Sequence, residues 1–161
     1  MNNQTDKPGY GYQLKMGATS LTEAWNARRG SSQNHFMLGQ ICEWFYHDLA
    51  GIASDPAGPG FKKIIIRPQP IADLTWVKAS YQSVHGEIRS EWKRENNRFT
   101  MKVSIPANTS AMIYVPSRNE QPESYPSEDH LPDINYLGHK DGCMIYAIGS
   151  GDYEFHSVTG N

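Results

Sequence analysis

The sequence has no long hydrophobic run and no concentration of basic residues. Its longest apolar stretch, around residues 61–66, is far shorter than the roughly 20 residues that cross a bilayer. The polar start, MNNQTD, lacks the apolar core of a signal peptide. With 15 basic and 17 acidic residues and a net charge of -2, the chain has no obvious basic footprint for nucleic acid. We therefore expect neither a nucleic-acid partner nor a membrane partner.

Cysteine is also scarce, because Cys42 and Cys143 are the only two and they do not form a Cys-x-x-Cys pair. We interpret both as buried free thiols, although the sequence leaves a disulfide between them open. His, Cys and acidic residues show no metal-ligand spacing, and no glycine-rich loop leads from a strand into a helix. The sequence thus predicts no metal site and no cofactor.

The first third of the chain has a helical pattern. A short helix is predicted over residues 19–30, where Ser20 could cap and Glu23 stands three residues later. A second helix is predicted from residues 32–34 to Gly51. Its apolar stripe consists of Met37, Leu38, Ile41, Trp44, Phe45 and Leu49.

Beyond the run SDPAGPG at residues 54–60, which cannot continue a helix, the apolar period changes to two. Asn96 and Asn97 suit a tight turn with positive φ between two alternating strands, which predicts a hairpin. The segment 116–133, rich in proline, serine and acidic residues, is predicted to be a surface loop. The predicted strands cover residues 61–67, 74–84, 88–93, 98–105, 111–115, 143–148 and 153–158.

The fold class that these patterns predict is mainly β with N-terminal helices, the strands forming an antiparallel β-sandwich. We place the two domains at residues 1–53 and 61–161, with the boundary in the proline and glycine run. Trp76 and Trp92 alternate within strands and are expected in the core of the sandwich.

Several motifs, in their order along the chain, resemble those of the bacterial α-L-rhamnosidase family. The resemblance begins with GATSLTEAWN at 17–26 and extends over most of residues 11–158, weakening between 116 and 140. The other motifs before the linker and just after it are SQNHFMLG at 32–39, EWFY at 43–46, LAGI at 49–52 and PGFK at 59–62. Those farther downstream are IRP at 66–68, WVKA at 76–79, YQS at 81–83, HG at 85–86 and IPANT at 105–109.

The resemblance implies that residues 1–53 hold the last helices of an (α/α)6 catalytic barrel and that the sandwich is the family's C-terminal domain. Members of the family are inverting hydrolases of terminal α-L-rhamnose. By resemblance, Glu23 stands at the position of the general base, and His35 and Trp25 line the rhamnose pocket. From the residues alone, a capping-box residue is the favoured interpretation of Glu23, and an ordinary residue of a first helical turn is the favoured interpretation of His35.

An inverting mechanism needs two carboxyl groups roughly 6.5–9.5 Å apart. The family's general acid comes from earlier barrel helices, so we expect this chain to be a C-terminal fragment that is inactive alone. The parent enzyme would act on a rhamnose-containing oligosaccharide or glycoside in the cytoplasm, the periplasm or outside the cell. The exposed stripe of the second helix would then favour a homodimer, poor order near the N-terminus, or repacking of that helix on the sandwich.

A second hypothesis makes the chain a free-standing β-sandwich that binds carbohydrate or another partner. Such a module would present two or more aromatic side chains in a row on one sheet face. The positions of Trp76 and Trp92 in the fold therefore discriminate between the two hypotheses.

Overall fold

The computed structural model describes residues 4–28, 30–120 and 134–159, and the contacts divide the chain into two compact units, Met1–Glu43 and Trp44–Asn161. The predicted domain boundary within residues 53–60 stays a prediction. The helical elements are α1 at Tyr10–Lys15, a 3₁₀ turn at Phe36–Gln40, α2 at Ile41–Trp44 and a π-helical turn at Phe45–Leu49.

Helix α1 is a short element that the sequence analysis did not predict. It ends in a Schellman motif, in which the Ala18 N–H donates to the Gln13 carbonyl at 2.9 Å and the Gly17 N–H to the Leu14 carbonyl at 3.0 Å. Gly17 has a φ of 85°, which a glycine adopts without a steric penalty. Gly17, two residues after Lys15, therefore fixes where α1 ends.

The helix predicted over residues 19–30 is wrong, because the described residues of this stretch form bends and turns. Their backbone groups bond to a neighbouring segment of the chain instead of to the preceding helical turn. The Glu23 N–H donates to the Ser32 carbonyl at 2.9 Å, and the Ser20 hydroxyl donates to the Gln33 carbonyl. Such local side-chain and loop bonds compete with helix formation.

The second predicted helix is present from Phe36 to Leu49, although it consists of three short helical geometries instead of one regular α-helix. Gly51 follows with a φ of 78° and ends the helical segment. Among the predicted stripe residues Leu49 is buried, whereas Met37 is exposed.

The second unit is a β-sandwich, which confirms the predicted mainly β fold with helices near the N-terminus. The strands are β1 Ile52–Ser54, β2 Lys63–Ile66, β3 Trp76–Ser83, β4 Gly86–Glu95, β5 Arg98–Ile105, β6 Ser110–Pro116, β7 Ile134–Lys140, β8 Cys143–Ile148 and β9 Gly151–Val158. One sheet has the order β1-β2-β6-β8-β7 and the other β3-β4-β5-β9. Strands β2 and β6 pair in parallel, and every other pairing between the described strands is antiparallel.

Strands β1 and β7 were not predicted, and both lie at sheet edges. Strand β7 follows directly on residues 121–133, so most of the predicted loop at 116–133 lies outside the described residues. Residue 116 itself ends β6, and residues 117–120 form bends or irregular backbone. No helix within the described ranges is both long enough and apolar enough to span a membrane.

The two sheets share one hydrophobic core. In β5, Phe99, Met101, Val103 and Ile105 face inward and are buried, while the residues between them face outward. The five-stranded sheet contributes residues such as Ile64, Ile66, Ile113, Val115, Met144 and Tyr146 to the same cluster. Burial of one face of each sheet against the other is the main favourable contribution to a sandwich.

The predicted hairpin is confirmed. Asn96 and Asn97 have φ values of 47° and 66°, and Glu95 pairs with Arg98 across the two-residue turn. Asparagine tolerates this left-handed backbone better than most residues, and a turn of this hand matches the twist of the strands. Local sequence therefore sets the register of β4 on β5.

Both tryptophans were predicted to lie in the core of the sandwich. This prediction is confirmed for Trp92 and wrong for Trp76. Trp92 is 2% exposed, and its indole N–H donates to the Leu49 carbonyl at 2.7 Å. Strand β3 pairs Val77 with Trp92, so Val77 faces inward and Trp76 faces outward beside Lys93. Trp76 is 63% exposed, and the outward-facing residues of β3, β4, β5 and β9 include no other Trp, Tyr or Phe. A row of aromatic rings, expected of a carbohydrate-binding face, is not formed on this sheet.

Replacing Trp92 by Phe should lower the free energy of unfolding by about 2 kcal/mol, because the buried Leu49 carbonyl loses its donor. Trp76→Phe is the matched control, and this exposed substitution should change stability by less than about 0.5 kcal/mol. Urea unfolding followed by circular dichroism measures both. Equal effects of the two substitutions would contradict the assignment of Trp92 as the buried anchor.

The homodimer stays a prediction. We expect its interface at the exposed start of the second helical segment. Phe36 is 79% exposed and Met37 is 58% exposed. The sedimentation coefficient should rise with protein concentration, and the double substitution Phe36→Ser with Met37→Ser should suppress that rise. Gln40→Ser, at an exposed polar residue of the same turn, serves as the control. A coefficient independent of concentration in the unsubstituted chain would refute the prediction.

Candidate functional site

The three predicted site residues, Glu23, Trp25 and His35, all lie in the first unit and outside helices. Two irregular segments carry them, and backbone hydrogen bonds join these segments. The Glu23 N–H donates to the Ser32 carbonyl at 2.9 Å, and the His35 N–H donates to the Leu21 carbonyl at 2.7 Å. The structure thus brings the segments of Glu23 and His35 alongside each other, as two short pieces of paired backbone.

The carboxylate of Glu23 is exposed and is held by one backbone donor. Its Oε2 atom accepts the Ser32 N–H at 3.1 Å, so Glu23 and Ser32 are joined by two hydrogen bonds that run in opposite directions. A capping box would require Ser20 to precede a helix, and no helix begins there. The structural interpretation of Glu23 as a capping residue is therefore wrong. The carboxylate belongs to a constrained loop and has a face open to solvent.

Trp25 and His35 are both half-buried. The indole of Trp25 packs edge to face with the ring of Tyr10, with 6.2 Å between centroids and 70° between planes. The hydroxyl of Tyr10 donates to the Leu38 carbonyl at 2.5 Å. Tyr10 on α1 thus fixes one side of Trp25 and also contacts the 3₁₀ turn that follows His35. This role of Tyr10 was not predicted from the sequence.

Two buried polar residues of the first unit were also not predicted from the sequence. Gln13 is 3% exposed and Thr22 is 1% exposed, and the Gln13 Nε2 atom donates to the Thr22 carbonyl at 2.6 Å. The signal that could have revealed them is the spacing of Tyr10, Gln13 and Leu14 before Gly17, which is typical of a short helix with a glycine stop.

Neither of two surface cavities on the molecule is lined by Glu23. In the first unit a cavity of about 360 Å³ is lined by Tyr10, Gln13, Leu14, Ala18, Thr19, Ser20 and Leu21. On the outer face of the four-stranded sheet a depression of about 470 Å³ is lined by Lys93, Glu95, Asn96, Arg98, Thr100 and Val158. The first cavity adjoins the loop of Glu23 in sequence and has no acidic lining residue.

The cysteines are free thiols, so the disulfide that the sequence left open is not formed. Cys143 is buried as expected, whereas Cys42 is exposed, because it lies one position away from the apolar stripe of the second helical segment. Burial raises the pKa of the Cys143 thiol, an effect that the Arg67 guanidinium opposes and the Asp141 carboxylate reinforces. Across residues 4–28, 30–120 and 134–159, no three His, Cys, Asp or Glu side chains are grouped as a metal site.

Two family models match consecutive parts of the chain. Residues 1–49 match the bacterial alpha-L-rhamnosidase 6 hairpin glycosidase domain, and residues 51–128 match the bacterial alpha-L-rhamnosidase C-terminal domain. The change from one model to the other falls at the end of the helical segment, next to Gly51. The ordered motifs that carried the resemblance in the sequence lie on both sides of that point.

Similar proteins with known names agree with these models. An alpha-L-rhamnosidase of Formosa agariphila is 34% identical over 161 residues, which is 93% of this chain and 17% of that protein. The crystal structure of Streptomyces avermitilis alpha-L-rhamnosidase complexed with L-rhamnose superposes with a TM-score of 0.74 at 28% identity, over 95% of this chain and 15% of that one. The alpha-L-rhamnosidase structure from Dictyoglumus thermophilum gives a TM-score of 0.72 at 32% identity, over 96% of this chain and 18% of that one. The chain thus spans less than a fifth of the length of these relatives.

Proposed function

This chain belongs to the bacterial α-L-rhamnosidase family, and from that membership we propose that it is the C-terminal part of a hydrolase that removes terminal α-L-rhamnose from glycosides. In this proposal the first unit completes the catalytic domain, and the sandwich is the family's C-terminal domain. The substrate of the whole enzyme is a rhamnose-containing oligosaccharide or glycoside. The observation that carries the proposal is the loop of Glu23, in a segment that matches the glycosidase domain.

Glu23 is the general base in this mechanism. A base must hold its carboxylate in a fixed place with a lone pair free for the attacking water. One oxygen of Glu23 accepts the Ser32 N–H at 3.1 Å, and the side chain is exposed, which leaves an oxygen available on the open side. The backbone hydrogen bond from the Glu23 N–H to the Ser32 carbonyl fixes the main chain that carries this side chain. This combination of a held backbone and an open carboxylate supports the role of base.

His35 and Trp25 contact the sugar in the same proposal. The half-buried imidazole of His35 lies on the segment that pairs with the Glu23 loop, where it could exchange hydrogen bonds with a hydroxyl. The indole of Trp25 presents an apolar surface that suits the less polar face of a pyranose ring, while Tyr10 supports it from the side.

Hydrolysis in this enzyme proceeds with inversion and needs a second carboxyl group as general acid, roughly 6.5–9.5 Å from the base. Within residues 1–43 the other acidic residues are Asp6 and Glu43, and both are exposed. The carboxylate of Glu23 makes no ion pair with any described residue. We assign the acid to a part of the enzyme outside this chain, and the chain alone lacks one half of the reaction.

The purified chain should therefore release no aryl alcohol from an aryl α-L-rhamnoside above the uncatalysed rate, as measured by absorbance. The parent enzyme at equal molar concentration is the positive control. Its turnover shows that the substrate and buffer are suitable. Turnover by the purified chain that scales with its concentration would refute the proposal that the general acid lies outside this chain.

In the parent enzyme, Glu23→Gln should lower kcat by about 10²–10⁴-fold, because the amide cannot accept the proton of the attacking water. The fold should be retained, since the amide oxygen can still accept the Ser32 N–H. Glu43→Gln is the matched control at an exposed carboxylate of the same unit, and its kcat should be unchanged. Circular dichroism checks folding, and a Glu23→Gln enzyme with full activity would exclude Glu23 as the base.

A further inference from the structure

The first unit buries very few side chains, and those with polar groups lie around Glu23. Among residues 4–28 and 30–43, only Gly9, Gln13 and Thr22 are buried. Burying a polar side chain is unfavourable unless its donors and acceptors find partners. The two buried polar residues are therefore placed for the hydrogen bonds that they make, because hydrophobicity does not favour their burial.

Those hydrogen bonds fix the peptide group before Glu23 and the carbonyl of Ala24, the residue after it. The Gln13 Nε2 atom donates to the Thr22 carbonyl at 2.6 Å, and the Thr22 hydroxyl donates to the Ala24 carbonyl at 2.8 Å. The N–H of Glu23 itself is bound to the Ser32 carbonyl. The Thr22 carbonyl and the Glu23 N–H belong to one peptide group, so two of these three contacts hold the peptide that leads into Glu23.

Gln13 is well suited to hold that backbone, because its own position is fixed. It lies in the middle of α1, and its carbonyl accepts the Ala18 N–H in the Schellman motif that ends the helix. Its side-chain amide then reaches from the helix to the loop, nine residues away in sequence. One buried hydrogen bond of the Gln13 side chain therefore joins a short helix to an irregular loop.

We infer that Gln13 is a positioning residue that holds the backbone of Glu23 in the geometry that catalysis requires. This inference rests on the proposed role of Glu23 as the base. Gln13 does not touch the reacting atoms and acts through the Thr22 carbonyl. Displacement of a catalytic group by about 1 Å can lower a rate by about 10²-fold, so one buried hydrogen bond at this point has a measurable effect.

The first test replaces Gln13 by Leu in the parent enzyme, which keeps the size of the side chain and removes the donor. The expected result is a decrease in kcat of about 10–100-fold with a change in KM below about threefold, because the base moves while sugar contacts stay. Gln40→Leu, at an exposed glutamine of the 3₁₀ turn, is the matched control and should leave both constants unchanged. A Gln13→Leu enzyme that melts at a lower temperature but keeps its kcat would overturn the inference.

The second test replaces Gln13 by Glu and follows kcat against pH. A protonated carboxyl can still donate to the Thr22 carbonyl, whereas an ionised one can only accept. The activity of Gln13→Glu, divided by that of the unsubstituted enzyme, should therefore be high at low pH and fall as the pH rises through the titration of the new carboxyl group. Gln40→Glu should give a flat ratio. A flat ratio for Gln13→Glu as well would overturn the inference, even if Gln13→Leu proved too unstable to assay.

Glu23→Gln in the same parent enzyme separates this inference from the proposed function. If Glu23→Gln keeps full activity, the proposed base is wrong. If Glu23→Gln is inactive while both Gln13 variants behave like their Gln40 controls, the proposed function stands and the positioning role of Gln13 fails.

Discussion

The sandwich depends on one constraint, which is that each sheet buries a single face in a core shared with the other sheet. Because side chains alternate along a strand, this requirement fixes which residue of every neighbouring pair points inward. Two buried side chains have polar groups that bond to the backbone that precedes β1. The Ser90 hydroxyl donates to the Ala50 carbonyl, and the Trp92 indole donates to the Leu49 carbonyl, at 2.7 Å in each case. The core thus also holds the stretch of chain that leads from the helical segment into the first strand.

The first unit is held together differently, since only one glycine and two polar residues among its described residues are buried. Its irregular segments are joined by hydrogen bonds, such as those of Gln13 to Thr22 and of Ser32 to Glu23. A hydrogen bond fixes a distance and a direction, whereas apolar contact fixes neither so narrowly. A loop that must present a carboxylate at a set position is suited to the first kind of contact. The catalytic role proposed for Glu23 and the way its loop is built are therefore consistent with each other.

Residues 19–30 show where local patterns mislead. Ser20 and Glu23 have the spacing of a capping box, but their polar groups bond to Gln33 and Ser32 instead of capping a helix. A partner about ten residues away is invisible to a short sequence window, and the same polar groups satisfy either arrangement. The candidate site residues themselves were predicted by resemblance to a family. Gln13 could not be predicted in that way, because the role proposed for it follows from burial and from a contact with the loop.

The sequence by itself determined the mainly β fold, the hairpin at Asn96 and Asn97, and the family, because alternation, turn chemistry and ordered motifs are local properties of the chain. Only the tertiary structure decided that Trp92 is buried and Trp76 is exposed, since that depends on the register of β3 against β4. It likewise decided that Gln13 bonds to the loop of Glu23. The physical reason is the same in both cases: a side chain's environment is set by the strand or loop packed against it, and that neighbour is brought there by the fold as a whole.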